Sequence, residues 1–208
     1  ISNIYIHNSS LENGAGDNSY RYAGASDEVN NYICLDSTVS PCSEANLFRI
    51  IGVFSNQVKV IRASSIGKMT WDSNKTNTWS TASLNTYLNG EYYNSLNTIL
   101  ESKITQTTWK VGGNTSANIK TVVPSVAYQN EVVNPTTTNT TDNATEYTAK
   151  IGLMYVSDYG FAASPTYWTY KGYDTATTDY RAATASNWLH LSSYEWTITR
   201  NADNSAYA

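Results

Sequence analysis

The 208 residues carry a formal charge of −4, and only 14% of the side chains are charged, against 40% hydrophobic and 12% aromatic. That apolar content is enough to build a core, which excludes global disorder. The acidic balance, with no cluster of Lys and Arg, excludes a grip on phosphate backbones and with it nucleic-acid binding. The polar surface must come from Asn, Thr, Ser and Tyr, a pattern that points to an extracellular or cell-surface protein. No apolar run approaches the roughly 18 residues of a spanning helix, so no membrane span is expected in this chain.

Residues 1–16 read as an N-terminal arm, with Ile4-Tyr5-Ile6 as an edge strand before the turn signals of Asn13-Gly-Ala-Gly-Asp17. Cys34 and Cys42 flank Ser40-Pro41 at a spacing compatible with a local disulfide, worth roughly 2 to 3 kcal/mol in the chain-entropy account. Two unpaired thiols are the alternative. A zinc site would need two further ligands, and His7 and His190 stand alone in the sequence, so no metal is expected. Leu47–Phe54 and Gln57–Arg62 are β-branched runs around the two residues Ser55-Asn56, which predicts an antiparallel hairpin; apolar residues on both faces of its first strand place that strand centrally.

Asp72-Ser-Asn-Lys-Thr-Asn77 offers oxygens at alternating positions, as a Ca²⁺ loop would, but Lys75 in the middle favours a solvated turn. Leu84, Leu88, Tyr92 and Leu96 recur every four residues after Ser80, which predicts a helix capped by Ser80, with Gly90 inside the pattern able to divide it. Thr107–Val111 reads as a short strand ending at Gly112-Gly113. Residues 134–146 form a low-complexity polar insertion at the surface of a single domain spanning 1–208. The apolar run Lys150–Asp158 has strand length, and Tyr194–Arg200 is strand-like. Irregularly spaced strands with one or two helices and long polar loops define an α+β class.

Neither His7 nor His190 has a nucleophile signature near it, so both are read as incidental surface residues. Carboxylates are present without a motif that pairs them. The chain is therefore read as not an enzyme, with no cofactor. The aromatic density between residues 167 and 196 carries more functional content, because Tyr and Trp give large contact area at small entropic cost and stack on the apolar faces of sugars. The candidate ligand-binding residues are Tyr167, Trp168, Tyr170, Tyr173 and Tyr180. Core filling is the competing role for these rings, and it is assigned to Trp188 and Trp196.

Gly24-Ala-Ser-Asp-Glu-Val-Asn-Asn-Tyr-Ile-Cys34, Cys42, Asn46-Leu-Phe-Arg-Ile-Ile-Gly-Val-Phe54, Trp79-Ser-Thr-Ala-Ser-Leu-Asn-Thr-Tyr-Leu-Asn89, Trp109-Lys-Val-Gly-Gly113, Lys150-Ile-Gly-Leu-Met-Tyr-Val-Ser-Asp-Tyr-Gly160 and Glu195-Trp-Thr-Ile198 together resemble a family of Gram-positive bacterial surface and secreted proteins of uncharacterised function. The resemblance runs from about Asp17 to Asn201. At a greater distance the family resembles C-type lectin-like and formylglycine-generating-enzyme folds, in which a Trp-rich core supports variable ligand-binding loops. It implies export and a C-type lectin-like mixed domain around the central hairpin. The formylglycine chemistry uses cysteines late in the domain, whereas Cys34 and Cys42 lie early, so that activity does not carry over. Family members continue into a closing Val-Arg-Pro-Val-Phe-Tyr-Leu strand that has no counterpart before Ala208, which implies a missing last strand. The expected function is an extracellular ligand-binding or adhesion module whose partner is carbohydrate or a host or bacterial surface protein. The alternative is a structural subunit of a surface filament or phage-like fibre, self-assembling through the N-terminal arm and an open C-terminal sheet edge.

Overall fold

The computed structural model describes residues 3–36, 38, 40–136, 144–172 and 178–202. In chain order the regular elements are β1 (Ile4–Ile6), β2 (Tyr20–Tyr22), β3 (Tyr32–Cys34), β4 (Leu47–Phe54), β5 (Gln57–Arg62), α1 (Ser83–Tyr87), α2 (Thr98–Lys103), β6 (Thr107–Lys110), β7 (Gly113–Asn114), α3 (Pro124–Tyr128), β8 (Glu146–Ala149), α4 (Val156–Ala162) and β9 (Arg200–Asn201). The class is α+β, with short helices and a mainly antiparallel sheet, as the sequence predicts. The chain divides into two compact units of three stretches each. The first comprises Ile1–Ser65, Ala117–Tyr128 and Val156–Glu195; the second comprises Ile66–Ser116, Gln129–Tyr155 and Trp196–Ala208.

The first unit is built on the predicted hairpin. β4 pairs with β5 along its length, from Phe48 opposite Arg62 to Phe54 opposite Gln57. Its other edge is shared: β3 pairs at Leu47–Arg49 and β2 at Gly52 and Val53, and β1 extends the sheet beyond β2. Glycine is required at position 52, where a Cβ would stand 2.3 Å from the Tyr20 carbonyl oxygen of the neighbouring strand. Cys34 and Cys42 form the local disulfide, with Cα atoms 5.9 Å apart, and Ser40-Pro41 within the loop is cis.

Under the sheet lies a cluster of Ala15, Ala23, Phe161 and Trp168. His7 is part of this packing and not a surface residue: it is fully buried, edge-on to Phe161 at 4.7 Å and 4.9 Å from Trp168. Its Nδ1 accepts the Ala15 N–H at 3.0 Å, which places the proton on Nε2. Nε2 has no hydrogen-bond partner among the described residues. Beside it the buried Arg21 guanidinium is ion-paired with Asp17 at 2.7 Å and lies within 4.8 to 4.9 Å of the ring centres of Phe54, Tyr128 and Phe161. Lys59 of β5 makes a second ion pair, with the buried Asp158 of α4.

The second unit packs Trp71, Trp79, Leu84, Leu88, Val111, Tyr155 and Ile198 into one cluster. β6 pairs antiparallel with β8, and β7 pairs parallel with β9. The predicted helix exists, but its start lies two residues later than expected. The N-cap position is Ala82, which has no side-chain acceptor, and the missing cap is supplied from a distance by Asp72. The Asp72 carboxylate accepts from the Ser83 N–H at 3.2 Å and from the Thr76 N–H and hydroxyl at 3.0 and 2.9 Å. The turn is solvated at Ser73, Asn74 and Lys75, as expected, but Asp72 at its start is a buried cap whose carboxylate oxygens are occupied by N–H and O–H donors. Burial alone would raise the Asp72 pKa, but the donors of Thr76 and Ser83 outweigh it and hold the carboxyl below its ordinary range. Asp72→Ala should therefore lower the stability of this unit by about 1 to 2 kcal/mol, read as a shifted urea midpoint; an unchanged midpoint would remove the capping role.

Past α1 the helix continues as a π-type turn over Leu88–Tyr92, which contains Gly90, so the helix is not divided at the glycine. The run Lys150–Asp158 is not a strand. Residues 151–155 are irregular and end in the second unit, and the helix α4 begins at Val156 in the first. The strand that pairs with β6 is the preceding segment Glu146–Ala149, next to residues 137–143 of the low-complexity insertion, which lie outside the described residues. Of the expected strand at 194–200 only Arg200 is regular, as the first residue of β9. Its close approach to β7 requires Gly113, where a Cβ would collide with the Arg200 carbonyl.

Candidate functional site

The candidate surface lies in the first unit, just beyond α4. Ser164 precedes a 3₁₀ turn, Pro165–Tyr167, and proline suits its first position because the ring fixes φ and no N–H is needed there. The Tyr167 N–H donates to the Ser164 carbonyl at 2.8 Å, Trp168 to Pro165 at 3.1 Å and Tyr170 to Tyr167 at 2.9 Å. This tight winding has about three residues per turn, so positions 167 and 170 fall on one side and 168 on another.

Trp168 is the anchor of the segment. It is 1% exposed, its indole N–H donates to the carbonyls of both Phe161 and Ala163, and its ring meets Tyr5 and Phe161 edge-on. Tyr167 and Tyr170 are half-buried and pack on each other at 5.0 Å and 84°. Neither phenol hydroxyl has a hydrogen-bond partner among the described residues. Tyr180 is buried, 6.0 Å from the Tyr159 ring. Tyr173 lies outside the described residues. Of the five rings selected from the sequence, the structure thus brings Tyr167 and Tyr170 together at the surface and places Trp168 and Tyr180 in the packing beneath.

The support is polar as well as apolar. Asp179 is fully buried and grips Arg181 through both of its oxygens, and its Oδ1 also accepts the Arg181 N–H at 3.0 Å, starting the 3₁₀ turn Tyr180–Ser186. The Gly172 N–H donates to Val122, and a Cβ there would meet Ile119 at 2.8 Å. His190 is half-buried and not incidental, since its Nδ1 shares a hydrogen with the Tyr159 hydroxyl at 3.1 Å. Burial, with the Glu195 charge, pushes the Tyr159 pKa up to about 12, so this hydroxyl stays protonated at physiological pH. Trp188 is buried as expected, but Trp196 is 48% exposed, with its indole N–H held by the Met69 carbonyl in the second unit. Chemically, the Tyr167–Tyr170 pair can stack on a ligand and exchange hydrogen bonds with it.

No family model matches the chain, and no curated protein or solved structure matches it.

Proposed function

We propose that the chain is an extracellular ligand-binding or adhesion module of a Gram-positive surface protein, C-type lectin-like in architecture, that binds without catalytic turnover. The observation that carries this reading is the Tyr167–Tyr170 pair: two half-exposed rings with free hydroxyls, held by a turn whose intervening Trp168 is locked into the core. Rigid tyrosines on a packed support offer contact area without an ordering cost on binding. The Cys34–Cys42 disulfide supports an oxidising compartment. Among the described residues no helix is long and apolar enough to cross a membrane.

Tyr167→Ala together with Tyr170→Ala should abolish capture on a glycan and mucin array while leaving the thermal midpoint within a few degrees of the parent. Retained capture by the double variant would sink the assignment of this surface. Ordered polymers of the parent chain in size-exclusion chromatography with light scattering would replace the reading with that of a filament or fibre subunit.

A further inference from the structure

The second unit holds a groove of about 360 Å³ between the helical segment that follows α1 and the β6–β8 pair, a volume at the small end of the range for ligand sites (roughly 300 to 1,000 Å³). We propose that this groove is a separate binding site for an acidic saccharide, a uronate or sialate residue whose carboxylate meets Lys150.

Three observations lead there. The first concerns charge. Lys150 is exposed at the groove wall, its ammonium contacts the Tyr93 hydroxyl and stands 4.0 Å above the centre of the Tyr93 ring, and it has no carboxylate partner among the described residues. Among the described residues that line the groove none is acidic. In a chain of net charge −4 this is a local positive centre held by neutral groups, and a charge-assisted hydrogen bond from it favours an anion.

The second concerns hydrogen bonding. The side-chain amides of Asn94 and Gln106 and the Tyr147 hydroxyl face no hydrogen-bond partner among the described residues, although all three line the groove. Each amide offers a donor and an acceptor side by side, which matches the paired hydroxyls of a sugar ring. The half-buried Tyr147 ring supplies an apolar edge, while Tyr93 is buried beneath Lys150 and holds it in place.

The third is rigidity. Asn89 is fully engaged: its amide donates to the Asn85 side chain at 2.8 Å and to the Ile151 carbonyl at 2.9 Å, and its oxygen accepts the N–H groups of Lys150 and Ile151 at 3.1 and 2.9 Å. That residue fixes the Lys150 backbone against the helix, so the site is preformed. A phosphate-bearing ligand is a poorer match, because one lysine with neither an arginine fork nor a nest of backbone N–H groups answers a single negative charge.

The test uses the whole chain, with isothermal titration of oligosaccharides containing glucuronate, galacturonate or sialate, each beside its carboxyl-reduced neutral counterpart. At least one acidic probe should bind, and its neutral counterpart should bind at least about tenfold more weakly. Lys150→Gln should reproduce that loss with an unchanged thermal midpoint, and Asn94→Ala with Gln106→Ala should weaken both probes. Tyr167→Ala with Tyr170→Ala should leave this binding intact, which separates the groove from the surface of the first unit. Equal affinity for acidic and neutral probes, indifference to Lys150→Gln, or no binding by any acidic probe would each overturn the proposal.

Discussion

Between pH 6.5 and pH 4 the protein should lose stability of the order of 3 kcal/mol, and His7→Gln should remove most of that slope. Burial, with the Arg21 charge beside it, draws the His7 pKa from 6.5 down to about 3. A second proton is disfavoured: Nδ1 is occupied as an acceptor, burial strips the charge of water and the Arg21 guanidinium repels it, and the Asp17 charge offsets only part of this. The unfolded chain takes up that proton at an ordinary pH. Because the folded pKa lies below the unfolded one, the stabilisation is complete above pH 6.5 and declines as the pH falls toward 3. At about 1.4 kcal/mol per pH unit across this window, the loss reaches roughly 3 kcal/mol by pH 4.

Neighbouring groups fall outside the window or act in the opposite direction. Burial would raise the Asp17 pKa, but the Arg21 charge and the Ser19 hydrogen bonds prevail and hold it at about 2, so its contribution is lost only below about pH 4. Glu195, raised by burial, gains a proton more readily when folded and offsets part of the slope. Urea midpoints measured for parent and His7→Gln across pH 4 to 6.5 isolate the imidazole, since the glutamine oxygen can still accept from Ala15 but cannot titrate. A parent with a flat profile, or a variant with the parent's slope, would refute this account.

Arg49→Lys should cost about 3 kcal/mol and Arg49→Ala at least as much, although the first substitution keeps the charge. Arg49 is 4% exposed in the central strand, and no carboxylate is among its partners in the described residues. Its guanidinium is satisfied by neutral oxygens: Nε donates to Asn31 at 2.7 Å, one terminal nitrogen to Ser26 and the Trp188 carbonyl at 2.8 and 3.2 Å, and the other to the Val29 carbonyl at 2.8 Å. The same plane lies 4.5 Å from the Tyr32 ring centre and 4.6 Å from that of Trp188. An ammonium can neither reach four acceptors in a fork nor stack between two rings, so the lysine leaves buried carbonyls without donors. A urea midpoint for Arg49→Lys equal to the parent's would show that charge alone suffices at this position.

The central hairpin was legible because β-branched residues flank a two-residue turn and β4 carries apolar residues on both faces, and nothing local competes with that pattern. The helix was legible from the Leu84–Leu88–Tyr92 spacing, but its cap was not, because the acceptor comes from Asp72, eleven residues before the N–H it meets. Lys150–Asp158 misleads for a different reason. An apolar run without alternation is compatible with either period, and its division between an irregular stretch and a helix is set by tertiary packing, where Gly160 lies so close to Pro124 and Tyr180 that a Cβ would overlap both.

The candidate surface was legible as a density of rings but not ring by ring. The three-residue spacing of Tyr167 and Tyr170, read with Pro165 as the start of a 3₁₀ turn, was the available signal that these two share a face. The groove at Lys150 had none, since Asn94, Gln106 and Tyr147 come from separate stretches and no composition bias marks them. His7 was misjudged because a lone histidine carries no sequence sign of the rings that enclose it.

The interleaving of the two units also constrains how the chain acquires its structure. Each unit draws on stretches separated by dozens of residues, and the second is closed by the β7–β9 pair, which joins Gly113 to Arg200. Such high contact order predicts slow folding, on the millisecond-to-second side of the range. Neither unit can be completed during synthesis until the residues after 155 have emerged from the ribosome.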